Sequence, residues 1–174
     1  MALVKGRHCS ESCMELLALE MVHHYQSQTR LPAAAAIEAI GFRVGRQLAE
    51  RYTANRARTG EPLEVIKFIC KEFWVAAFRK QVDNLRTNHR GTFVLKDLSF
   101  RWLAKLSVDP VPPGTALQNG APPVHPAAEA ARDYLVLPCA LIRGALVHLG
   151  VECTVTADPN ALPACDFTIT IKPR

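Results

Sequence analysis

No run in this chain approaches the roughly 20 consecutive apolar residues that a membrane-spanning helix needs. The amino terminus, MALVKGRHCSESCMELL, also lacks the long apolar stretch and small-residue cleavage site of a secretory leader, so none is expected. Six cysteines are present without the tight spacing of a disulfide framework. With no leader, they read as free thiols of a reducing compartment. Also missing are G-x-x-x-x-G-K-[ST], a G-x-G-x-x-G after a strand, and G-x-S-x-G. Those patterns cradle phosphates or raise a nucleophilic serine, and without them such readings have no support.

What is present suits one ordinary globular domain. The chain has 174 residues, 49% hydrophobic and 21% charged, enough for a single core and short of what two domains usually need. Its formal charge of +5 is uneven: residues 1–106 hold 17 Lys/Arg against 10 Asp/Glu, and residues 107–174 hold 4 against 6. A basic half can meet nucleic acid, an anionic membrane surface or an acidic protein, or can simply be a solvated helix face. Charge alone does not choose among these.

The chemistry-bearing residues are scattered. His8, Cys9 and Cys13, with His23 or His24 as a fourth ligand, form a C-x-x-x-C spacing with no second pair, so no structural zinc is expected. Cys70 and Cys139 lie in apolar helical segments and Cys153 in a core-facing strand position, which makes buried, inert thiols the expectation. His148 falls in the last turn of its helix, where an imidazole meets the helix dipole favourably. Asp158 and Asp166 flank the final turn without an acid–base partner. No catalytic residue, metal site or cofactor is expected.

Periodicity organises the chain as α+β. Ser12 to Glu15 has the S-x-x-E form of a capping box before a first helix over 13–26. Pro32 suits the first turn of a second helix, over 33–56. After Gly60-Glu61-Pro62, a third helix is expected over 63–85, apolar on most sides and central to the fold. Asn88 to Gly91 signals a turn. A β-prone run at 92–95 and alternation over 99–106 suggest a hairpin turning at Lys96-Asp97. Residues 109–126 hold six of the 12 prolines and two glycines, and read as a flexible loop over 108–126. A short strand is expected at 134–137, a helix opening at Pro138 and ending at Gly150, then two regular antiparallel strands. Helices, strands, one further helix and strands describe N-terminal helices on one face of a twisted antiparallel sheet.

One feature of the second helix conflicts with its propensity. Gly41 and Gly45 stand in GFRVG, each costing about 1 kcal/mol in a helix interior. With Ala49 they form a side-chain-free groove at four-residue steps, which another helix can approach closely. The opposite side presents Ile37, Ile40, Val44 and Leu48, so the helix is adhesive on two sides. A partner subunit is expected there, and packing on the third helix is the alternative.

Four segments then carry a resemblance: GFRVGRQLAERYT, EVIKFICKEFWVAAFRKQVDNLRTNHRGTFVLKD, LIRGALVHLG and LPACDFTITI. They resemble the Bet-three-like small subunits of TRAPP, the transport protein particle, in the subunit-six branch, over about 14–171. The block L-R-T-N-H-x-G-T at 85–92 is specific to that branch. The resemblance implies a non-catalytic scaffold in a vesicle tether that as a whole exchanges guanine nucleotide on Rab-type GTPases. It further implies cytoplasmic residence at Golgi and endoplasmic reticulum membranes, with peripheral membrane contact left open and no nucleic acid bound. Partners would be a Bet-three-type subunit, as a heterodimer, and other small TRAPP subunits. In the family the heterodimer forms through the first two helices, which here means 14–25 and 37–48. Leu17, Met21, Ile37, Gly41, Val44, Gly45 and Leu48 are the candidate interface residues. The Bet-three-type relative carries an acylated cysteine just before its third helix. Arg56 stands near that place here, with no cysteine between Cys13 and Cys70, so acylation is not carried over. The alternative function is a module holding an acyl chain or another apolar molecule inside the domain.

Overall fold

In the computed structural model, residues 10–28, 32–55, 61–88, 90–106 and 126–172 are described, and the regular carboxy-terminal alternation forms the hairpin it implies. Strands β3 (Cys153–Ala161) and β4 (Ala164–Ile171) pair antiparallel, with Val155 opposite Ile169 and Ala157 opposite Phe167 toward the core. Thr154 faces Thr170 and Thr156 faces Thr168 on the other side. The N-terminal half of the sheet departs from expectation. β1 (Asn84–Thr87) pairs with β2 (Thr92–Asp97), and the four strands run β1-β2-β4-β3.

Two corrections follow from that topology. The third helix stops at Phe78, not 85, because Arg79 takes a left-handed conformation with φ 63° and turns the chain into β1. Residues 99–106 form no strand. β2 already has β1 on one edge and β4 on the other, so no edge is left for a third neighbour. The segment instead winds through i→i+3 bonds from Leu103 to Phe100, Ala104 to Arg101 and Leu106 to Leu103. The expected turn at 88–91 is present. Asn88 Oδ1 accepts from the amides of Arg90 and Thr92, and Gly91 supplies a φ of 89°.

Helices α1 (Glu11–Gln26), α2 (Ala33–Thr53), α3 (Pro62–Phe68) and α4 (Trp74–Phe78) precede and flank the first hairpin. A single π turn, Ile69–Phe73, joins α3 to α4, with the Trp74 amide reaching back five residues to Ile69 O. The capping box at Ser12 does not form. Helix α1 starts at Glu11, and Glu15 turns its carboxylate away toward Lys105 and Arg101. Helix α2 has Pro32 as its N-cap rather than its first residue, and closes at Thr53, short of the expected 56. The Pro-rich residues 107–125 lie outside the described residues, as does Arg56.

The largest correction concerns 134–150. No strand forms at 134–137, because α5 (Pro126–His148) is one helix with a buried Pro138 in its interior. Proline there denies Tyr134 its helical hydrogen bond, at a cost of about 3 kcal/mol. That cost is offset by burial along the helix: Leu135, Leu137, Leu141, Ile142, Ala145 and Leu146 are all 4% exposed or less. The end is as expected. Gly150 has φ 85°, its amide meets Val147 O, and the Val151 amide meets Leu146 O, closing a Schellman cap.

Between α4 and the sheet, rings fill the core. Trp74 lies edge-on to Phe78 at 4.7 Å and to Phe167 at 5.1 Å, and Phe100 contacts Phe78 at 5.0 Å. Asp97, fully buried, ties this layer together. It accepts from Trp74 Nε1 at 3.0 Å, Lys80 Nζ at 2.6 Å and the Ser99 amide at 3.0 Å.

Candidate functional site

The glycine groove on α2 is occupied by the chain itself. Ile37, Gly41, Gly45 and Ala49 form one row at four-residue steps, all buried, and its two glycines face α5. A β-carbon on Gly45 would stand 2.0 Å from Leu141 O, and one on Gly41 would stand 2.8 Å from both Leu137 O and Ala140 Cβ. The arrangement is reciprocal: a β-carbon on Gly144 of α5 would meet Phe42 O at 2.1 Å. The two backbones therefore touch through three glycines, a contact no side chain could share. Arg143 closes the seam, stacking its guanidinium 5.2 Å from the Phe42 ring centre and pairing with Glu38. Gly41 and Gly45 thus face α5 rather than the third helix, and Ile37 is buried in the core. Ile37 also belongs to the glycine row, not to the opposite side.

The other four interface candidates remain at or near the surface. Leu17 is 61% and Val44 42% exposed, while Met21 and Leu48 are half-buried and touch the core. Exposure adds residues that were not singled out: Met14 at 46%, Leu16 at 56% and Tyr52 at 46%. Met14, Leu17 and Met21 share one flank of α1 by their three- and four-residue spacing. Ile40, Val44 and Leu48 form a row beside the glycine row on α2, and α1 and α2 are in contact. Helical spacing alone would have added Met14 to the list. Leu16 lies about 100° around α1 from Leu17, and no periodic signal marks it.

Reactive chemistry has little to work with. Burial pushes the Cys70 and Cys139 thiols up to about 12 and Cys153 to about 11, and raises Cys165 as well. All four stay protonated and unreactive near neutral pH. Only Cys13 is exposed among the described cysteines. Among the described residues no three His, Cys, Asp or Glu gather as metal ligands; His8 and Cys9 lie outside them. The buried Asp97 is fully bonded and serves to join helix and sheet.

Comparison with known proteins identifies a family. The family model described as "Transport protein particle (TRAPP) component" matches residues 14–172. Mouse (Mus musculus) trafficking protein particle complex subunit 6B is 43% identical over 136 residues, which cover 78% of this chain and 77% of that protein. Human (Homo sapiens) subunit 6A is 44% identical over 137 residues, with 79% and 77% covered. A crystal structure of subunit 3 of the same particle from Naegleria fowleri, covalently bound to palmitic acid, aligns with a TM-score of 0.66. It is 13% identical, and the alignment covers 94% of this chain and 98% of that one. At that identity the likeness shows the fold.

Proposed function

The chain belongs to the transport protein particle (TRAPP) component family, and on that premise we propose that it docks a Bet-three-type small subunit on the open flank of α1 and α2. It is a structural subunit of the TRAPP vesicle-trafficking complex. Other TRAPP subunits are its partners. Its contribution is contact, not catalysis: nucleotide exchange on a Rab-type GTPase would be a property of the assembled particle. No helix among the described residues is long and apolar enough to cross a membrane. Association with Golgi and endoplasmic reticulum membranes would be a property of the assembled particle.

One observation carries the reading. Met14, Leu17 and Val44 are large, apolar and 42–61% exposed on two adjacent helices. Each is already about half covered, so completing its burial contributes roughly 0.7–1.5 kcal/mol. The alternative, an apolar ligand inside the domain, is not favoured: Trp74, Phe78, Phe100 and Phe167 fill the interior with ring contacts.

The test is co-expression with the Bet-three-type subunit. Leu17→Glu with Val44→Glu removes apolar contact and places two charges where the partner would sit, so co-purification should be lost. Both positions face solvent in the chain, so its melting temperature should stay within a few degrees, as for surface changes of about 0.5 kcal/mol. Undiminished pairing would refute the docking face.

A further inference from the structure

Helix α1 is held to the rest of the chain by few buried side chains. Ala18 and Val22 are the apolar ones, and the third is Glu15, only 8% exposed. Lys105 Nζ stands 2.5 Å from Glu15 Oε2, and Arg101 Nε lies 3.8 Å from Oε1. Oε2 lies off the line of any hydrogen bond, so the Lys105 contact is ionic rather than directional. Both cations belong to the 99–106 turns, which are themselves anchored. Phe100 and Leu103 are buried there, and the Phe100 amide bonds Pro163 O beside β4 at 2.9 Å.

The position of this ion pair matters for the docking face. Val22, Met21, Tyr25 and the Gln26–Asp133 hydrogen bond hold the carboxy-terminal half of α1, whereas Ala18 gives the amino-terminal half little shape with which to resist rotation. Glu15 sits between Met14 and Leu17 in sequence but projects inward while they project outward. A roll that released Glu15 would carry Met14 and Leu17 together away from their present direction. We infer that Glu15 is a positioning residue. Its pairing with Lys105 and Arg101 sets the roll of α1 and so aims the α1 flank at the partner subunit. The inference rests on the docking face proposed above.

The experiment measures affinity for the co-expressed Bet-three-type subunit at a temperature where every variant is folded. Glu15→Gln keeps the side-chain shape and removes its charge, while Lys105→Glu makes the pair repel; each should weaken binding about tenfold or more. Lys105→Arg keeps the pair and should bind as wild type. Ile169→Val trims the buried sheet core in β4 and should also bind as wild type, which separates aim from general stability. Leu17→Glu tests the face itself. If Leu17→Glu binds normally, the docking reading fails. If it loses binding while Glu15→Gln and Lys105→Glu keep wild-type affinity, the positioning role is overturned. Should Lys105→Glu fail to fold, the isosteric Glu15→Gln decides alone.

Discussion

Replacing Gly45 with alanine sets two effects of opposite sign against each other. Helix propensity favours the change by about 1 kcal/mol. Against it, the new methyl carbon would lie 2.0 Å from Leu141 O, 2.8 Å from Leu141 C and 2.9 Å from its Cα. Carbon and carbonyl oxygen settle at about 3.3 Å or more, so α2 and α5 must separate locally by roughly 1.3 Å. The obstructing atoms are backbone and cannot swing aside. Overpacking of this kind costs about 1–3 kcal/mol, and parting two long helices adds lost dispersion contact, so the upper end applies. The net effect is about 2 kcal/mol of destabilisation, which in a chain of this size lowers the melting temperature by roughly 4–8 °C. Thermal unfolding of the purified chain, followed by far-ultraviolet circular dichroism, measures it directly. Gly41→Ala meets its neighbours at 2.8 Å and should lower the temperature less. A Gly45→Ala chain as stable as wild type, or more so, would refute the seam; that is how a glycine open to a partner subunit would behave.

Lys80→Met should destabilise by about 3–5 kcal/mol near neutral pH, because it leaves the buried Asp97 without its cation. Burial opposes the Lys80 charge, but its bonds to Asp83 and Asp97 outweigh this and lift its pKa above the usual 10.5. The Lys80 hydrogen bond, in turn, holds Asp83 below the usual 3.8. A raised lysine pKa contributes stability below 10.5 that is lost at higher pH, and a lowered aspartate pKa contributes stability above 3.8 that is lost at lower pH. The difference in melting temperature between wild type and Lys80→Met should therefore be widest between those limits; a difference constant from neutral pH to about 11 would contradict the assignment. In a Cys9→Ser background, a thiol reagent at mild pH should label Cys13 quickly and the buried cysteines only on unfolding. Rapid labelling of a second thiol would show that the core opens.

Much of the fold is legible in residues whose pattern has one physical meaning. Strict alternation over 151–157 and 166–172 admits only a half-buried strand, and Asn88 to Gly91 supplies both the side-chain acceptor and the positive φ of its turn. The misreadings share a different cause. Alternation at Phe100, Trp102, Ala104 and Leu106 matches a strand, yet local pattern carries no information on whether a sheet edge is free. Arg79 ends the third helix in a left-handed conformation that no glycine announces. Along 134–149 apolar residues surround the helix, so periodicity fades, and Pro138 then looks like a start when it is an interior residue.

That last misreading also explains why the candidate site was legible only in part. Two adhesive sides of α2 have the same helical period, and neither sequence spacing nor composition says which one the chain covers itself. The distinction needs the mate. Once 126–148 is one helix, Gly144 appears on it as the counterpart of Gly41 and Gly45, each relieving the same backbone-to-backbone contact from the opposite side. A groove filled within the chain leaves the proposed docking face to the large side chains that remain exposed. Those are Met14 and Leu17 on α1 and Val44 on α2. On the proposed face the glycines would act at one remove, by setting how closely α2, which carries Val44, lies on α5.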